Sequence, residues 1–365
     1  MEGSASKISF LQTFTILALM NGLASHVIIN PMLLQSSGRD SWITVLAAGA
    51  LFLLWSPLLV WMNHRSGQRK WQPWLASQTH PLVSWLMVLP VCLQLYLIGA
   101  MIVIHTVNWH ITNYLPASSK LTLALPLVIV SCILAVWGLR VIAIASGLLL
   151  PIVIALGIFV GVSNSDMKDH NLLLPVLEHG WSPVMEGFVY IGGGYIELII
   201  LLFLQHRLLT KVRYWQVLLY CAFTIGIALG PIVGAITEFG PNEAAKQMSS
   251  PYEQWRLVEI GQYVEHLDFF SIFQWLSGTC VRISLAVYTL TEILPFKGAR
   301  ARKRFILGIM ASYIVLVLLP NNEYTVYLEM YRYYIPISFY ALFALSVIWM
   351  VIALFAKPEP SEEGR

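Results

Sequence analysis

Charge is what this sequence has least of. Asp, Glu, Lys and Arg make up 11% of the 365 residues, against about 25% in an ordinary soluble domain. With 58% hydrophobic residues and a mean hydropathy of +0.71, a water-soluble globule is excluded. The four cysteines, Cys92, Cys132, Cys221 and Cys280, all fall in apolar stretches and read as small packing residues, so neither a disulfide framework nor a thiolate metal site is expected. The nine histidines show no H-E-x-x-H or other ligand spacing; His105 and His110 are merely five apart near a helix end. A nucleophile elbow, a paired-carboxylate arrangement and a P-loop are also missing, so no metal, cofactor or enzymatic reaction is expected. The net charge of +3 is too small to argue for a nucleic-acid partner.

What is present is a succession of apolar stretches of about 20 residues, the length that crosses a bilayer as a helix. Ten are expected, over 8–29, 41–61, 82–104, 121–137, 140–161, 186–206, 214–237, 268–293, 304–320 and 332–356. The fold class is therefore an all-α polytopic membrane protein. Met1 to Lys7 is short and polar and no small-x-small cleavage pattern follows the first stretch, so that stretch is expected to stay. With the N-terminus inside, fifteen of the 22 Lys and Arg fall on the cytoplasmic side and six on the other, with Arg282 inside a segment; both termini are thus expected in the cytoplasm. Several tryptophans near segment ends, such as Trp61, Trp137 and Trp215, read as interfacial anchors.

The chain divides into 1–161, carrying segments 1 to 5, and 186–356, carrying segments 6 to 10. A polar connection over 162–185 joins them, and 357–365 is a cytoplasmic tail. Five crossings per half make the second half enter the membrane from the opposite side, which is the arithmetic of an inverted repeat. In such proteins interrupted helices at corresponding positions mark the binding site, because unwound backbone frees N–H and C=O groups. Segments 1 and 6 both qualify. Segment 1 carries Asn21-Gly22-Leu23-Ala24-Ser25-His26, and segment 6 carries Gly192-Gly193-Gly194-Tyr195. Each glycine costs about 1 kcal/mol against alanine in a helix interior, so breaks are expected here; close helix packing is the competing reading of the three glycines. The spaced glycines Gly226, Gly230 and Gly234 of segment 7, and Gly157 and Gly161 of segment 5, read instead as packing surfaces.

Two charges, Glu197 and Arg282, lie within spans and need partners there. Mutual pairing, a clamp of Arg282 on free carbonyls of segment 1, a coupling role and snorkelling of the arginine all remain open. His26, beside the first break, either titrates in a proton-linked cycle or satisfies freed backbone. Between segments 7 and 8, Ser250 and Pro251 start a helix expected to run to about 267, apolar at Leu257, Ile260, Val264 and Leu267 and acidic opposite. It is expected on the outer face as a lid, with Ile260 and Val264 as gating residues.

These stretches resemble a known family. Lys7-Ile8-Ser9 and Asn30-Pro31, the run Leu173 to Gly180, Gly194-Tyr195-Ile196-Glu197 and above all Ser250-Pro251-Tyr252 through Ile260 to Glu265 are similar to the B-subunits of bacterial spore germinant receptors. That family is a branch of the amino acid, polyamine and organocation transporter superfamily. The resemblance covers essentially the whole chain. It implies a permease-like fold in which helices 1 and 6 are broken and hold the ligand beside helices 3 and 8, with Gly22, Ala24, Ser25, His26, Gly192, Gly193, Gly194 and Tyr195 as the ligand-binding set. It also implies residence in the spore inner membrane, with an A-subunit membrane protein and a C-subunit lipoprotein as partners. The expected function is sensing of an amino acid or similar small nutrient; the alternative is a proton-coupled amino acid permease using Glu197 or His26.

Overall fold

In the computed structural model, residues 7–259 and 266–356 are described. Among them there is no β-strand, only an isolated parallel bridge between Ile8 and Leu208. The helices follow in chain order: α1 (Phe10–Leu23), α2 (Ile29–Ser37), α3 (Ser41–Arg65), α4 (Trp71–Gln78), α5 (Pro81–Asn113), α6 (Lys120–Trp137), α7 (Leu139–Ser163) and α8 (Ser182–Tyr195). They continue as α9 (Ile200–Leu204), α10 (Tyr214–Phe239), α11 (Pro241–Ala244), α12 (Ser250–Arg256), α13 (Phe269–Ile293), α14 (Ala299–Leu318), α15 (Glu323–Glu329) and α16 (Ile335–Phe355).

Among the described residues, eight helical runs are long and apolar enough to cross a membrane. One of them, Phe10–Arg65, is 56 residues long. At 1.5 Å per residue that is about 84 Å of helix, far more than one bilayer crossing. The run turns at Gly38, whose φ of +55° suits a residue without Cβ. The α14 helix opens with Arg300, Arg302, Lys303 and Arg304 and is not among the eight.

Local sequence explains the starts. Ser9 accepts from the Gln12 N–H while Gln12 accepts from Ser9, a capping box for α1. Ser119 caps α6, and Pro81 and Pro183 occupy first-turn positions. The α5 helix runs nine residues past the end expected for segment 3, because His105, Thr106, Asn108 and His110 are buried by neighbours instead of ending the helix in water. A short α4, not foreseen, seats Trp71 and Trp74 in the core at one end of the bundle.

The expected breaks take another form. The run through Gly192–Gly194 is continuous α8, and the winding changes only afterwards, to a 3-10 turn over Ile196–Ile199. In the first segment the chain does not unwind either; it widens to a π-turn over Ala24–Ile28 between α1 and α2. Packing supplies what the glycines lose in propensity. A Cβ on Gly192 would meet Phe339 at 2.6 Å, one on Gly193 would meet Ile335 at 2.6 Å, and one on Gly194 would meet Ser25 and Ile29 at 2.8 Å. The segment holding α8 and α9 is 83% buried over its apolar window, against 22% for α7, so it forms the centre of the bundle.

The expected helix over 250–267 is shorter than foreseen: α12 ends at Arg256, and Leu257 to Glu259 are irregular. The gating residues Ile260 and Val264 lie outside the described residues.

Candidate functional site

Two buried features organise the interior. The first is the ion pair. Glu197 sits in the 3-10 turn after α8 and Arg282 sits mid-way along α13, each 3% exposed. Arg282 donates through Nη1 to Glu197 Oε2 at 2.7 Å and through Nη2 to Oε1 at 2.5 Å. The two-pronged geometry is what a planar guanidinium offers a carboxylate. Nη1 also donates to the Met20 carbonyl at 2.9 Å. At that point α1 changes winding: the Ala24 N–H turns to the Asn21 carbonyl instead of Met20. Pairing and the carbonyl clamp therefore coexist, and one arginine ties α13 to both chain segments where winding changes. Next to it, Asn21 Nδ2 donates to the Tyr220 hydroxyl at 2.7 Å, joining α1 to α10.

The second feature is a cavity of about 560 Å³. Ala18, Gly22 and His26 of the first segment, Val153 and Gly157 of α7, Phe223, Gly226 and Gly230 of α10, Tyr252 and Trp255 of α12, and Ser271, Gln274 and Trp275 of α13 line it. Trp109 of α5 closes one side, stacked on Trp275 with ring centroids 4.3 Å apart. An added Cβ at Gly22, Gly226 or Gly230 would find no heavy atom within 4 Å, so these glycines border open space. The cavity exists where side chains are missing from facing helices.

The α12 helix covers one end of this space through directed bonds. Trp255 Nε1 donates to Gln274 Oε1 at 2.7 Å, and Gln274 Nε2 donates to the Val153 carbonyl at 2.9 Å. Gln254 Nε2 donates to the Pro231 carbonyl at 2.8 Å, and Asn164 Nδ2 donates to the Gln254 carbonyl at 2.8 Å. Just past the end of α5, Tyr114 donates to the Asp268 carbonyl at 2.9 Å; burial pushes its hydroxyl pKa up, which keeps the proton on the donor.

The expected ligand-binding set divides. Gly22 and His26 line the cavity. His26 Nδ1 donates to the Ile227 carbonyl at 3.2 Å, tying the π-turn to α10. Ala24 and Ser25 are buried, and Ser25 lies against Gly194. Tyr195 stacks on Phe52 at 4.5 Å, and Gly192 and Gly193 face α16 and its leading turn. The centre of the space thus lies between α1, α7, α10 and α13, on the side of the first segment away from α8.

A third cluster escaped the sequence reading. Glu292, in the last turn of α13, accepts from His206 Nε2 at 2.8 Å and Arg207 Nε at 2.9 Å, and forms an ion pair with Arg302, whose Nη1 lies 2.9 Å away. Its side chain is 2% exposed. Close by, Ile8 N donates to the Arg207 carbonyl and Leu209 N to the Ile8 carbonyl, both at 2.9 Å. Glu292 stands one residue inside the expected end of segment 8, and its signal was the excess of basic residues at 207 and 302. The first half of α13 walls the cavity and its last turn is locked by ion pairs, so the two devices stand at opposite ends of one helix.

Residues 7–326 match the family of spore germination proteins. Spore germination protein XB of Bacillus anthracis is 34% identical over 350 residues, covering 96% of this chain and 98% of that protein. The match to the family spans every helix that walls the cavity and both members of the Glu197–Arg282 pair. With its long apolar helices and this relationship, the chain is a multi-pass membrane protein that belongs to the spore germination protein family.

Proposed function

We propose that this chain is the nutrient-sensing subunit of a germinant receptor in the spore inner membrane, with ten crossings in two inverted sets of five and both termini cytoplasmic. A small nutrient enters the cavity beside Gly22 and His26, α12 acts as its outer lid, and the change of arrangement passes to an A-subunit and a lipoprotein C-subunit. The observation that carries this reading is the asymmetry of α13, open to a cavity over Ser271–Gly278 and clamped at Glu292. A ligand that binds one arrangement of such a helix better than another shifts the equilibrium by its differential affinity, with no turnover required. Glu197 and Arg282 then serve as the fixed joint about which the halves move.

The test is Gly22→Leu in spores whose response depends on this chain. Because the added side chain enters open space, abundance should stay near normal while the germination response falls by more than about tenfold. A normal response would remove the cavity from the mechanism. Accumulation of labelled nutrient in vesicles, collapsed by an uncoupler, would support a proton-coupled permease instead.

A further inference from the structure

The charged groups around the cavity are already committed. Among the described residues no Asp or Glu lines it, and its ionisable side chains are His26, Lys168 and Tyr252. His26 is bonded to the Ile227 carbonyl at 3.2 Å. Lys168 donates to the Gly161 carbonyl at 2.7 Å and lies 3.7 Å from Glu238. The helical winding of the first segment and of α8 withholds the unwound backbone that would otherwise receive charged ends. An ammonium or carboxylate brought into an apolar space without a partner carries a desolvation penalty of several kcal/mol or more. Among the described residues no lining carboxylate meets the ammonium of a zwitterion, and the lining Lys168 that could meet its carboxylate already faces Glu238.

What the cavity does offer is area and a few neutral hydrogen-bonding groups. Phe223, Tyr252, Trp255 and Trp275 present rings to it. Its neutral polar lining includes Tyr252, Ser271 and Gln274. A volume of about 560 Å³ falls within the range of roughly 300–1,000 Å³ that accommodates ligands of drug size. A short aliphatic amino acid would leave much of that wall without contacts.

We propose that the cavity takes an uncharged, ring-bearing small molecule of about two fused rings, held by contacts with the aromatic side chains that line it. This rests on the reading of the cavity as the sensing site and names its ligand class.

Equilibrium binding to the full-length chain in nanodiscs tests it, with indole and adenosine as uncharged ring probes and L-alanine and L-leucine as zwitterionic ones. At least one ring probe should bind saturably, more than about tenfold weaker in Gly226→Leu, whose new side chain enters open space. Saturable binding of an amino acid, lost in Gly226→Leu, would overturn the ligand class and leave the sensing site standing. Ring-probe uptake that neither saturates nor responds to Gly226→Leu would overturn the class as membrane partitioning. No saturable binding of any of the four would overturn both the class and the site. The melting temperature of the variant guards against misfolding as the cause.

Discussion

Arg282 holds both carboxylate oxygens of Glu197, at 2.7 and 2.5 Å, and the Met20 carbonyl at 2.9 Å with the same guanidinium. Breaking a buried pair on one side costs about 3–5 kcal/mol because the remaining charge is uncompensated, whereas removing both partners is often milder. Glu197→Gln and Arg282→Met are each expected to lower the protein's abundance in the membrane severely, and the double variant to recover part of the loss. A double-mutant cycle on membrane abundance and thermal midpoint checks this; additive losses would deny the coupling.

The two sets of glycines should respond in opposite ways. At Gly193 a new side chain drives into Ile335 at 2.6 Å, an overpacked contact that typically costs about 1–3 kcal/mol or more. Gly193→Leu is therefore expected to reduce the amount of folded protein. Immunoblots of membranes, read beside the response of Gly22→Leu, separate packing loss from cavity blocking. Normal abundance of the Gly193 variant would contradict the close contact with α16.

Glu292 collects three cationic or titratable partners into one buried carboxylate. Glu292→Ala should lower stability by about 1–3 kcal/mol, since the half-buried His206 and Arg207 lose their acceptor. Arg302→Gln should cost less than about 1 kcal/mol, because Arg302 is 28% exposed and Arg207 and His206 remain. Thermal unfolding of the two purified variants gives the order; a larger loss for Arg302→Gln would refute the central role of the carboxylate.

Gln274 is the pivot of the cover, accepting from Trp255 and donating to the Val153 carbonyl. Gln274→Leu removes both bonds while keeping bulk, and should loosen α12 and shift the nutrient concentration for half response or raise spontaneous germination. Dose–response curves of mutant spores measure it. An unchanged curve would leave α12 as a surface for a partner subunit.

Glu259, exposed just beyond α12, reports orientation. A Cys at this position should react with a membrane-impermeant thiol reagent from outside, as the charge bias requires. Reaction only from the cytoplasmic side would overturn both the lid and the orientation.

Composition and hydropathy by themselves determined that the chain is helical and crosses the membrane repeatedly, because a bilayer core tolerates little charge and demands internally satisfied backbone. They also marked Glu197 and Arg282, since a charge at that depth has to find a partner. The partner itself came from tertiary structure, as did the simultaneous hold on Met20. The glycines were legible as special but not as to purpose. Local propensity disfavours a helix through Gly192–Gly194, yet Phe339, Ile335 and Ser25 close around it and keep it wound. Gly226 and Gly230 have the spacing of a packing face, and the fold leaves open space in front of them. A missing side chain means tight contact or a cavity depending only on how near the neighbouring helix lies, and that distance is set by residues far off in the sequence, such as Phe339 for Gly192.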